Sequence, residues 1–433
     1  MSGPPPRTLR LHTAASIAIA NMVGTGVFTS LGYQVSGTPS AFALLMLWVL
    51  GGIIAFCGAL SYGELGAALP RSGGEYHLLS VIYHPALGFL SGWVSATAGF
   101  AAPTAVAAIA LGKYLAAVYP GFPVQHAAAG AVLAFALIHS LSIGLGSWFQ
   151  NGFTLIKIAC MLLLILAGLS YGAPQPLDLL PSPESAAMLL SPAFAVSLVY
   201  VSYAYTGWNA SVYIAGELRN PQRDLPRALV LSTLLVTACY VGLNWAFLRT
   251  VPMAELAGQA EVGFLSARAM FGPAAGDALS VAIAVLMLST ISAMVFVGAR
   301  ITQVMGEDYP MLRMLARRSP RHTPVAAIVF QTAVTLLFIY TSSFEQVMIY
   351  ASFSLMLTTS LTVAGVFVLR ARQPGLERPY RTWGYPAAPL IFLAANLWII
   401  GYVLAERPLE SAAGLGIMAA GLGVYALGRR RSR

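Results

Sequence analysis

Three adjacent residues near the N-terminus, Gly24-Thr25-Gly26, are the first candidates for a binding site, because they could expose backbone N–H groups within an apolar segment. Two glycines around a threonine weaken a helix, since glycine loses the most backbone entropy on folding. If the helix breaks here, the first N–H groups of its second half have no partner within the helix. The positive end of the helix dipole then favours an anion, such as a carboxylate, at this point.

A second Thr-Gly step lies in the sequence Ser202-Tyr-Ala-Tyr-Thr-Gly-Trp-Asn209. An unwound segment here would present C=O groups that accept hydrogen bonds from an ammonium group. Facing N–H and C=O groups would together bind the two charges of an α-amino acid without any charged side chain. The alternative is that these glycines only reflect the frequency of glycine in membrane helices, and the pattern alone supports both interpretations equally.

Lys157 is the third candidate, because ten mostly apolar residues follow it. A lysine at the centre of a membrane costs about 2.5–3.5 kcal/mol on insertion scales, and such residues are functional candidates. Its ammonium group could replace a bound cation beside the broken helix, or carry a coupling proton. The alternative is snorkelling, since Lys157 lies roughly 12 Å from the start of its span by helical rise and a long side chain could nearly reach the interface. Lys113, near the end of another span, fits snorkelling better.

Other polar residues in the apolar segments provide weaker signals. Glu217, in the charged loop 216–228, could pair with Arg300 as an inner gate, although a solvated loop is the simpler interpretation. His139 has no ligand partner nearby in the sequence and fits a packing role. No nucleophile elbow, phosphate-binding loop, zinc motif or carboxylate pair within a span is found, so the sequence predicts neither an enzyme nor a cofactor or metal site.

The composition places all these residues in a membrane protein. The chain has 433 residues, of which 58% are hydrophobic and 9% charged, and its mean hydropathy is +0.75. Soluble domains carry about 25% charged residues, so the composition excludes a soluble enzyme, a nucleic-acid-binding protein and a disordered chain. A membrane-spanning helix needs about 20 mostly apolar residues. Twelve segments meet this criterion, near residues 14–35, 39–67, 86–117, 125–145, 149–171, 193–215, 227–250, 276–304, 324–341, 345–369, 388–404 and 410–428.

The basic residues predict the orientation of these spans. With the N-terminus in the cytoplasm, 19 of the 24 Lys and Arg residues lie in cytoplasmic segments and three in external ones, while Lys113 and Lys157 lie within spans. Positive residues concentrate on the cytoplasmic side of membrane proteins. The distribution predicts that both termini are cytoplasmic, and the net charge of +9 is a topology signal.

The two Thr-Gly steps lie in the first and sixth predicted spans. An odd number of spans per unit inverts the second unit relative to the first, and matching glycine-interrupted spans in two inverted halves indicate a transporter binding site. The sequence therefore predicts an all-α membrane protein with an internal repeat.

Four stretches make the chain resemble the amino acid–polyamine–organocation (APC) superfamily of permeases, and within it the bacterial members that are similar to L-type amino acid transporters. They lie in family order along most of the chain, at Met22–Phe28, Leu69–Tyr76, Tyr203–Asn209 with the loop Glu217–Arg227, and Arg378–Pro386. Such a set is specific for the superfamily but weak for the substrate.

The resemblance implies a LeuT-like fold of 12 transmembrane helices, in which spans 1–5 and 6–10 are inverted repeats and helices 1 and 6 are discontinuous. The corresponding segments are a cytoplasmic N-terminal segment (1–13), the first repeat (14–171), the second repeat (172–370), helices 11 and 12 with the preceding loop (371–428) and a basic cytoplasmic tail (429–433).

The resemblance also implies the residues of the site. The substrate carboxylate would meet N–H groups around Thr25 and Gly26, and the amine would meet carbonyls of the sixth span. The implied substrate-binding set is Met22, Gly24, Thr25, Gly26, Val201, Ser202, Tyr203, Ala204 and Thr206.

Lys157 matches a lysine of span 5 that occupies a sodium position in sodium-independent members of the family. It would bridge the backbone near Met22 and hydroxyls of the eighth span, for which Ser289 and Ser292 are the candidates. The gate residues that this comparison and the charged loop suggest are Tyr203, Glu217 and Arg300.

Two departures from the family pattern matter. Thr206 stands where many members have glycine, which implies a smaller or more polar side-chain pocket. Cys57, Cys160 and Cys239 all lie in apolar segments, so no external cysteine is available for a disulfide with a heavy chain, and no such partner is expected.

We therefore expect a sodium-independent secondary transporter in the cytoplasmic (inner) membrane that moves L-amino acids, in particular neutral ones, by alternating access, as an exchanger or with protons. Its expected partners are the small-molecule substrate and the lipid bilayer, without nucleic acid. A polyamine or organic-cation transporter of the same fold is one alternative, but it should need acidic residues near the membrane midplane, which the sequence does not offer. A non-transporting sensor or channel is the other alternative.

Overall fold

The computed structural model describes residues 9–141, 145–320 and 323–431 of the chain. Within these ranges the regular structure is helical, apart from an isolated parallel β-bridge between Leu9 and Leu218. The helices are α1 (Leu11–Met22), α2 (Gly26–Val35), α3 (Ala41–Ala68), α4 (Gly74–Ile82), α5 (Pro85–Val94), α6 (Ala102–Val118), α7 (Val124–Leu141), α8 (Leu145–Ser170), α9 (Pro183–Met188), α10 (Pro192–Tyr205), α11 (Pro221–Thr250), α12 (Met253–Leu256), α13 (Val262–Phe271), α14 (Pro273–Asp308), α15 (Val325–Thr341), α16 (Phe344–Arg372), α17 (Ala387–Glu406) and α18 (Pro408–Arg431). A π-helical segment (Ser95–Ala101) joins α5 to α6, and two 3-10 segments (Ala210–Glu217 and Pro310–Leu312) follow α10 and α14.

The apolar helices coincide with the predicted spans. In the described part of the chain, nine helical segments are long and apolar enough to cross a membrane, namely α1 with α2, α3, α5 with α6, α7, α11, α14, α16, α17 and α18. The other three predicted spans coincide with α8, α10 and α15, of which α10 stops after 14 residues and α15 has 17. An all-helical membrane protein is confirmed, while twelve crossings and the LeuT-like arrangement stay predictions.

Polar residues at the helix ends explain where several of these helices begin. The side chain of Ser191 accepts a hydrogen bond from the Phe194 N–H at 3.1 Å at the start of α10, and Pro192 occupies the first turn, where no N–H is needed. Ser343 and Gln346 form a capping box at the start of α16. These satisfied ends let helices with apolar interiors start at defined positions in the bundle.

The continuous segment from α5 through the π-helix to α6 lies at the centre of the bundle. Of its 18 most apolar consecutive residues, 94% are buried, whereas the corresponding shares are 28% for α7 and 17% for α18. The peripheral helices expose large side chains such as Leu133, Leu137 and Leu427, which suits contact with lipid chains. The π-helical segment therefore lies inside the protein and away from lipid.

Both predicted interruptions are present. α1 ends at Met22 and α2 begins at Gly26, so residues 23–25 lie outside the helices. α10 ends at Tyr205 and is followed by a turn in which Gly207 has φ = +105°. A Cβ added to Gly207 would be strained by this φ and would lie 2.7 Å from the Cβ of Asn21. Glycine thus lets the second interruption lie directly against the first broken span.

The start of α1 is joined to the end of the 3-10 segment that follows α10. The Leu9 N–H donates to the Glu217 carbonyl at 3.0 Å, and the Leu9 carbonyl accepts from the Arg219 N–H at 2.9 Å. The Ser211 hydroxyl also donates to the Ala14 carbonyl at 2.8 Å. These bonds join α1, which precedes the first interruption, to the 3-10 segment, which follows the second interruption.

A buried ion pair holds the loop before α17 on the same face. Glu64, at the end of α3, is 1% exposed and accepts two hydrogen bonds from Arg370 at 2.8 and 2.6 Å. The backbone N–H and the hydroxyl of Thr382 each donate to it at 2.8 Å. Glu64 therefore joins α3, α16 and the loop 373–386.

Candidate substrate site

The two interruptions lie against each other in the core. α2 opens beside α10, where a Cβ added to Gly26 would lie 2.6 Å from the Cα and 2.7 Å from the Cβ of Ala204. Side chains do not tolerate contacts this short, so only glycine permits this approach of the two backbones. The first turn of α2 is thereby placed against the last turn of α10.

Backbone N–H groups are free at the first interruption. The N–H groups of Gly24 and Thr25 have no hydrogen-bond partner among the described residues, and the next helical bond is from the Phe28 N–H to the Thr25 carbonyl at 3.0 Å. Free N–H groups at a helix start carry the positive end of the helix dipole. N–H groups that are unpaired among the described residues therefore lie at Gly24 and Thr25, within the segment for which a carboxylate site is predicted.

Tyr240 on α11 joins the two interruptions from behind. Its fully buried hydroxyl lies 2.6 Å from the carbonyl oxygen of Met22 and 3.1 Å from that of Ala204. Its ring packs edge-on against Trp48 and Tyr205, with centroids 5.5 and 5.1 Å apart. Tyr240 therefore fixes the spacing of the two helix ends. The sequence alone does not reveal this role, because a tyrosine in an apolar span carries no charge signal.

The carbonyl groups at the end of α10 are already hydrogen-bonded. The Thr206 hydroxyl donates to the Ser202 carbonyl at 3.1 Å, and the Thr206 N–H donates to the Tyr203 carbonyl at 3.0 Å. Thr206, the departure from the family pattern, thus closes the last turn of α10. A carbonyl oxygen has two lone pairs, so these groups can still accept a hydrogen bond from an ammonium group.

A cavity of about 1030 Å³ extends from the interruptions to the face that carries Ser72, Glu217 and Arg300, which is the predicted cytoplasmic face. Of the predicted substrate residues, Ser202 and Thr206 line this cavity. The others lie behind its wall, namely Met22, Gly24, Thr25, Gly26, Val201, Tyr203 and Ala204.

The π-helical segment also faces the cavity. Ser95, Gly99 and Phe100 line it, as do Asn21 and Gly207, the residues that border the two interruptions. π-Helical turns inside α-helices occur frequently at functional sites. The cavity therefore has three departures from regular helix in its lining, in the first, sixth and third predicted spans, and the last of these is not evident from the sequence.

Lys157 is enclosed by protein. It is 1% exposed, and its Nζ donates to the hydroxyl of Thr290 at 2.6 Å. A snorkelling lysine extends its ammonium group to the membrane interface, and Lys157 does not have this geometry. Its ammonium group instead connects α8 to α14.

The hydroxyl that meets Lys157 belongs to Thr290, and not to the predicted Ser289 or Ser292. The Ser289 hydroxyl is buried without a partner among the described residues, and the Ser292 hydroxyl lies 2.9 Å from Nε2 of His139. Successive helical residues are rotated by about 100°, so the rotation of α14 about its axis decides which hydroxyl faces α8. The Met22 carbonyl, the other predicted contact of Lys157, accepts from Tyr240 instead.

The predicted gate residues do not close the cavity. Glu217 and Arg300 both line it, and neither belongs to an ion pair within the described residues. The Arg300 guanidinium lies over the Phe296 ring, 4.1 Å from its centroid. Tyr203 is 7% exposed and lies behind the cavity wall. The cavity side of the protein is thus open in this conformation.

Aromatic and ionic contacts seal the opposite side of the interruptions. Tyr33 of α2 stacks on Tyr200 of α10 and Phe344 of α16, with centroids 5.9 and 5.8 Å apart. The Tyr200 hydroxyl donates to Glu345 at 2.5 Å, and Arg407 binds the same carboxylate oxygen at 2.9 Å. The protein is therefore open towards one face and closed towards the other, as alternating access requires of each conformation.

The site is suited to binding through dipoles rather than through charged side chains. The carboxylates in the cavity wall are Glu75 and Glu217. No group of three or more His, Cys, Asp or Glu residues that could hold a metal ion occurs in the described residues. Two adjacent helix ends carry the groups that binding needs. Free N–H groups can donate to a carboxylate, and carbonyl oxygens that accept one hydrogen bond each can accept a second one from an ammonium group.

Comparisons with known proteins place this chain in a family. The amino acid permease family matches residues 9–412. The human b(0,+)-type amino acid transporter 1 is 30% identical over 382 residues, which cover 87% of this chain and 78% of that protein. The mouse large neutral amino acids transporter small subunit 2 is 28% identical over 434 residues, which cover 98% of this chain and 81% of that protein. The chain therefore belongs to the amino acid permeases of the APC superfamily, which are transporters and not enzymes.

Proposed function

We propose that this permease moves neutral L-amino acids across the cytoplasmic membrane by alternating access, without sodium, as an exchanger. The observation that carries the proposal is the pair of interrupted helices, whose ends meet at Gly26 and Ala204 beside a cavity that reaches one face. The substrate carboxylate binds the N–H groups of Gly24, Thr25 and Gly26, and its amine binds carbonyls between Val201 and Ala204. Except for Ser202, these residues lie behind the cavity wall in this conformation, so binding requires that the wall opens at the two interruptions. Closing the cavity around a substrate and opening the sealed side completes the transport step.

In this proposal Lys157 replaces a coupling cation. Its ammonium group lies inside the protein and donates to a hydroxyl of α14, a type of ligand that a sodium ion would otherwise use. An ammonium group between α8 and α14 removes the need for sodium to hold these helices together. Thr290 takes the role that the resemblance assigned to Ser289 and Ser292.

The connecting helices support the inverted repeat. α4 lies between the second and third predicted spans, and α13 lies between the seventh and eighth. Equivalent connections five spans apart fall on opposite faces when the second unit is inverted. Residues 14–171 and 172–370 then form the two repeats, 371–428 the peripheral spans, and 1–13 and 429–433 the cytoplasmic ends.

The permease works without a disulfide-linked heavy chain in this proposal. One of the similar proteins is named a small subunit. The cysteines of this chain lie within helices α3, α8 and α11, where Cys57 and Cys160 are buried and Cys239 is half-buried. A disulfide to an external partner needs a cysteine that the partner can reach.

Proteoliposomes that contain the purified protein test the proposed function. We expect labelled neutral amino acids to enter only when the vesicles hold unlabelled amino acid, with the same rate in sodium and choline buffers. Uptake that requires sodium would contradict the role of Lys157, and uptake without internal substrate would contradict exchange. A labelled diamine in the same assay tests the organic-cation alternative, which the two cavity carboxylates Glu75 and Glu217 do not favour, since Glu75 is already occupied by neutral donors.

A further inference from the structure

We propose that Glu75 is a proton-binding site in the cavity wall, and that its protonation state controls how firmly the 3-10 segment Ala210–Glu217 is held against α4. The inference rests on the proposed function, because it names a regulating ion for the same cavity. It concerns a residue outside the predicted substrate and cation positions.

Glu75 is a buried carboxylate surrounded by neutral hydrogen-bond donors. It lies in the first turn of α4 and is 2% exposed. Its Oε1 accepts from the Tyr62 hydroxyl at 2.8 Å and from the Asn209 side-chain amide at 2.7 Å. Its Oε2 lies 3.4 Å from the Ser91 hydroxyl. Three donors and the N-terminus of α4 are what an ionised carboxylate needs when it has no cation.

Among the described residues, no positive side chain forms an ion pair with Glu75. The titratable groups that act on it from the packed elements are Tyr62 of α3 and Tyr213 of the 3-10 segment. α5 contributes the Ser91 hydroxyl and α16 the Thr358 hydroxyl. Burial raises the pKa of the Glu75 carboxyl, and the hydrogen bonds from its donors oppose this rise only in part.

The contact between Glu75 and Asn209 is part of a clamp on the 3-10 segment. Asn209 is the residue before this segment, and Glu75 holds its side chain. The Gly73 N–H donates to the Tyr213 carbonyl at 3.3 Å, and the Gly216 N–H donates to the Ser72 hydroxyl at 3.2 Å. Of these three contacts, the bond to Glu75 is the one that a proton can change.

Protonation weakens the clamp. Water in the cavity can deliver a proton to Oε2, whose contact with Ser91 is the longest, and the new O–H can donate to the Ser91 hydroxyl. The two bonds to Oε1 then change from charge-assisted to neutral, and neutral hydrogen bonds are about half as strong. Since the 3-10 segment lines the cavity, acid on this side favours its release from α4 and closure of the cavity.

Exchange rates measured over a range of internal pH test the proposal. We expect the wild-type rate to change sigmoidally with internal pH, and Glu75→Gln, which imitates the protonated form, to keep the low-pH rate within about twofold at every pH. The matched control is Glu377→Gln, because Glu377 is an exposed carboxylate on the same predicted face. Acid-minus-neutral infrared difference spectra should lose one protonated carboxyl band in Glu75→Gln and none in Glu377→Gln.

A second variant keeps the proposal testable if Glu75→Gln does not fold. Tyr62→Phe removes one donor from Oε1, which disfavours the ionised form, so the midpoint of the pH profile should move to higher pH. An unchanged midpoint would contradict the proposal, as would a pH-independent wild type or a wild-type profile in Glu75→Gln. Absence of any saturable amino acid exchange would instead refute the proposed function, which separates the two failures.

Discussion

Replacing Gly26 with alanine is the most direct test of the paired interruptions. The new Cβ would lie 2.6 Å from the Cα of Ala204, whereas ordinary contacts begin at 3.4 Å. α2 and α10 must therefore separate by about 1 Å, and overpacking of this kind typically costs about 1–3 kcal/mol of stability. A displacement of about 1 Å in a positioned site can reduce rates about hundredfold. We expect Gly26→Ala to fold with reduced stability and to lose about two orders of magnitude in exchange rate.

The assay combines binding of a labelled amino acid by the purified protein with exchange in proteoliposomes, both related to the amount of folded protein found by size-exclusion chromatography. Gly24→Ala is the matched control. Its new Cβ would find its nearest neighbours at 3.8 and 4.0 Å, so the helices need not move. Gly24→Ala should therefore lose far less activity than Gly26→Ala, although the two glycines are separated by one residue.

Two results would refute this reasoning. Wild-type binding and exchange in Gly26→Ala would show that the close approach to Ala204 does not position the site. Equal losses in both variants would show that backbone flexibility at the interruption, and not the packing of α2 on α10, is what transport requires. Gly26→Val adds a larger side chain at the same position and should abolish binding.

Three further substitutions test the contacts around the site. Lys157→Ala should reduce turnover more than substrate affinity, because it removes the contact between α8 and Thr290; a wild-type rate would show that the buried ammonium group has no role in transport. Tyr240→Phe leaves the Met22 carbonyl without its donor, and we expect the free energy of unfolding to fall by about 1–3 kcal/mol together with substrate affinity, as measured by thermal unfolding and by binding. Glu64→Gln removes the negative charge that pairs with Arg370 and Arg378, and the uncompensated cations should lower the free energy of unfolding by about 3 kcal/mol; a thermal stability equal to that of the wild type would show that these pairs do not hold the loop 373–386.

Composition and periodicity were sufficient to predict the membrane class and the positions of the helices. A segment that crosses the hydrocarbon layer must be long and apolar, and its backbone N–H and C=O groups must be hydrogen-bonded within the segment. Both requirements are met by residues that are close in sequence. The same local logic marked Gly24–Gly26 and the Thr206-Gly207 step as candidate interruptions, because glycine acts on its own backbone, while the family resemblance implied that both helices are discontinuous. Lys157 was singled out since a charge in an apolar run is costly wherever the run is placed.

The partners of these residues depended on the tertiary structure. Tyr240, Thr290 and Asn209 are polar residues of ordinary type, and only packing brings them to Met22, Lys157 and Glu75. A helix with an apolar surface all round can rotate about its axis with little change in pattern, so its sequence does not say which hydroxyl faces a neighbour. The contact of Gly26 with Ala204 joins residues almost 180 positions apart, and a contact of this kind is decided by how the bundle packs.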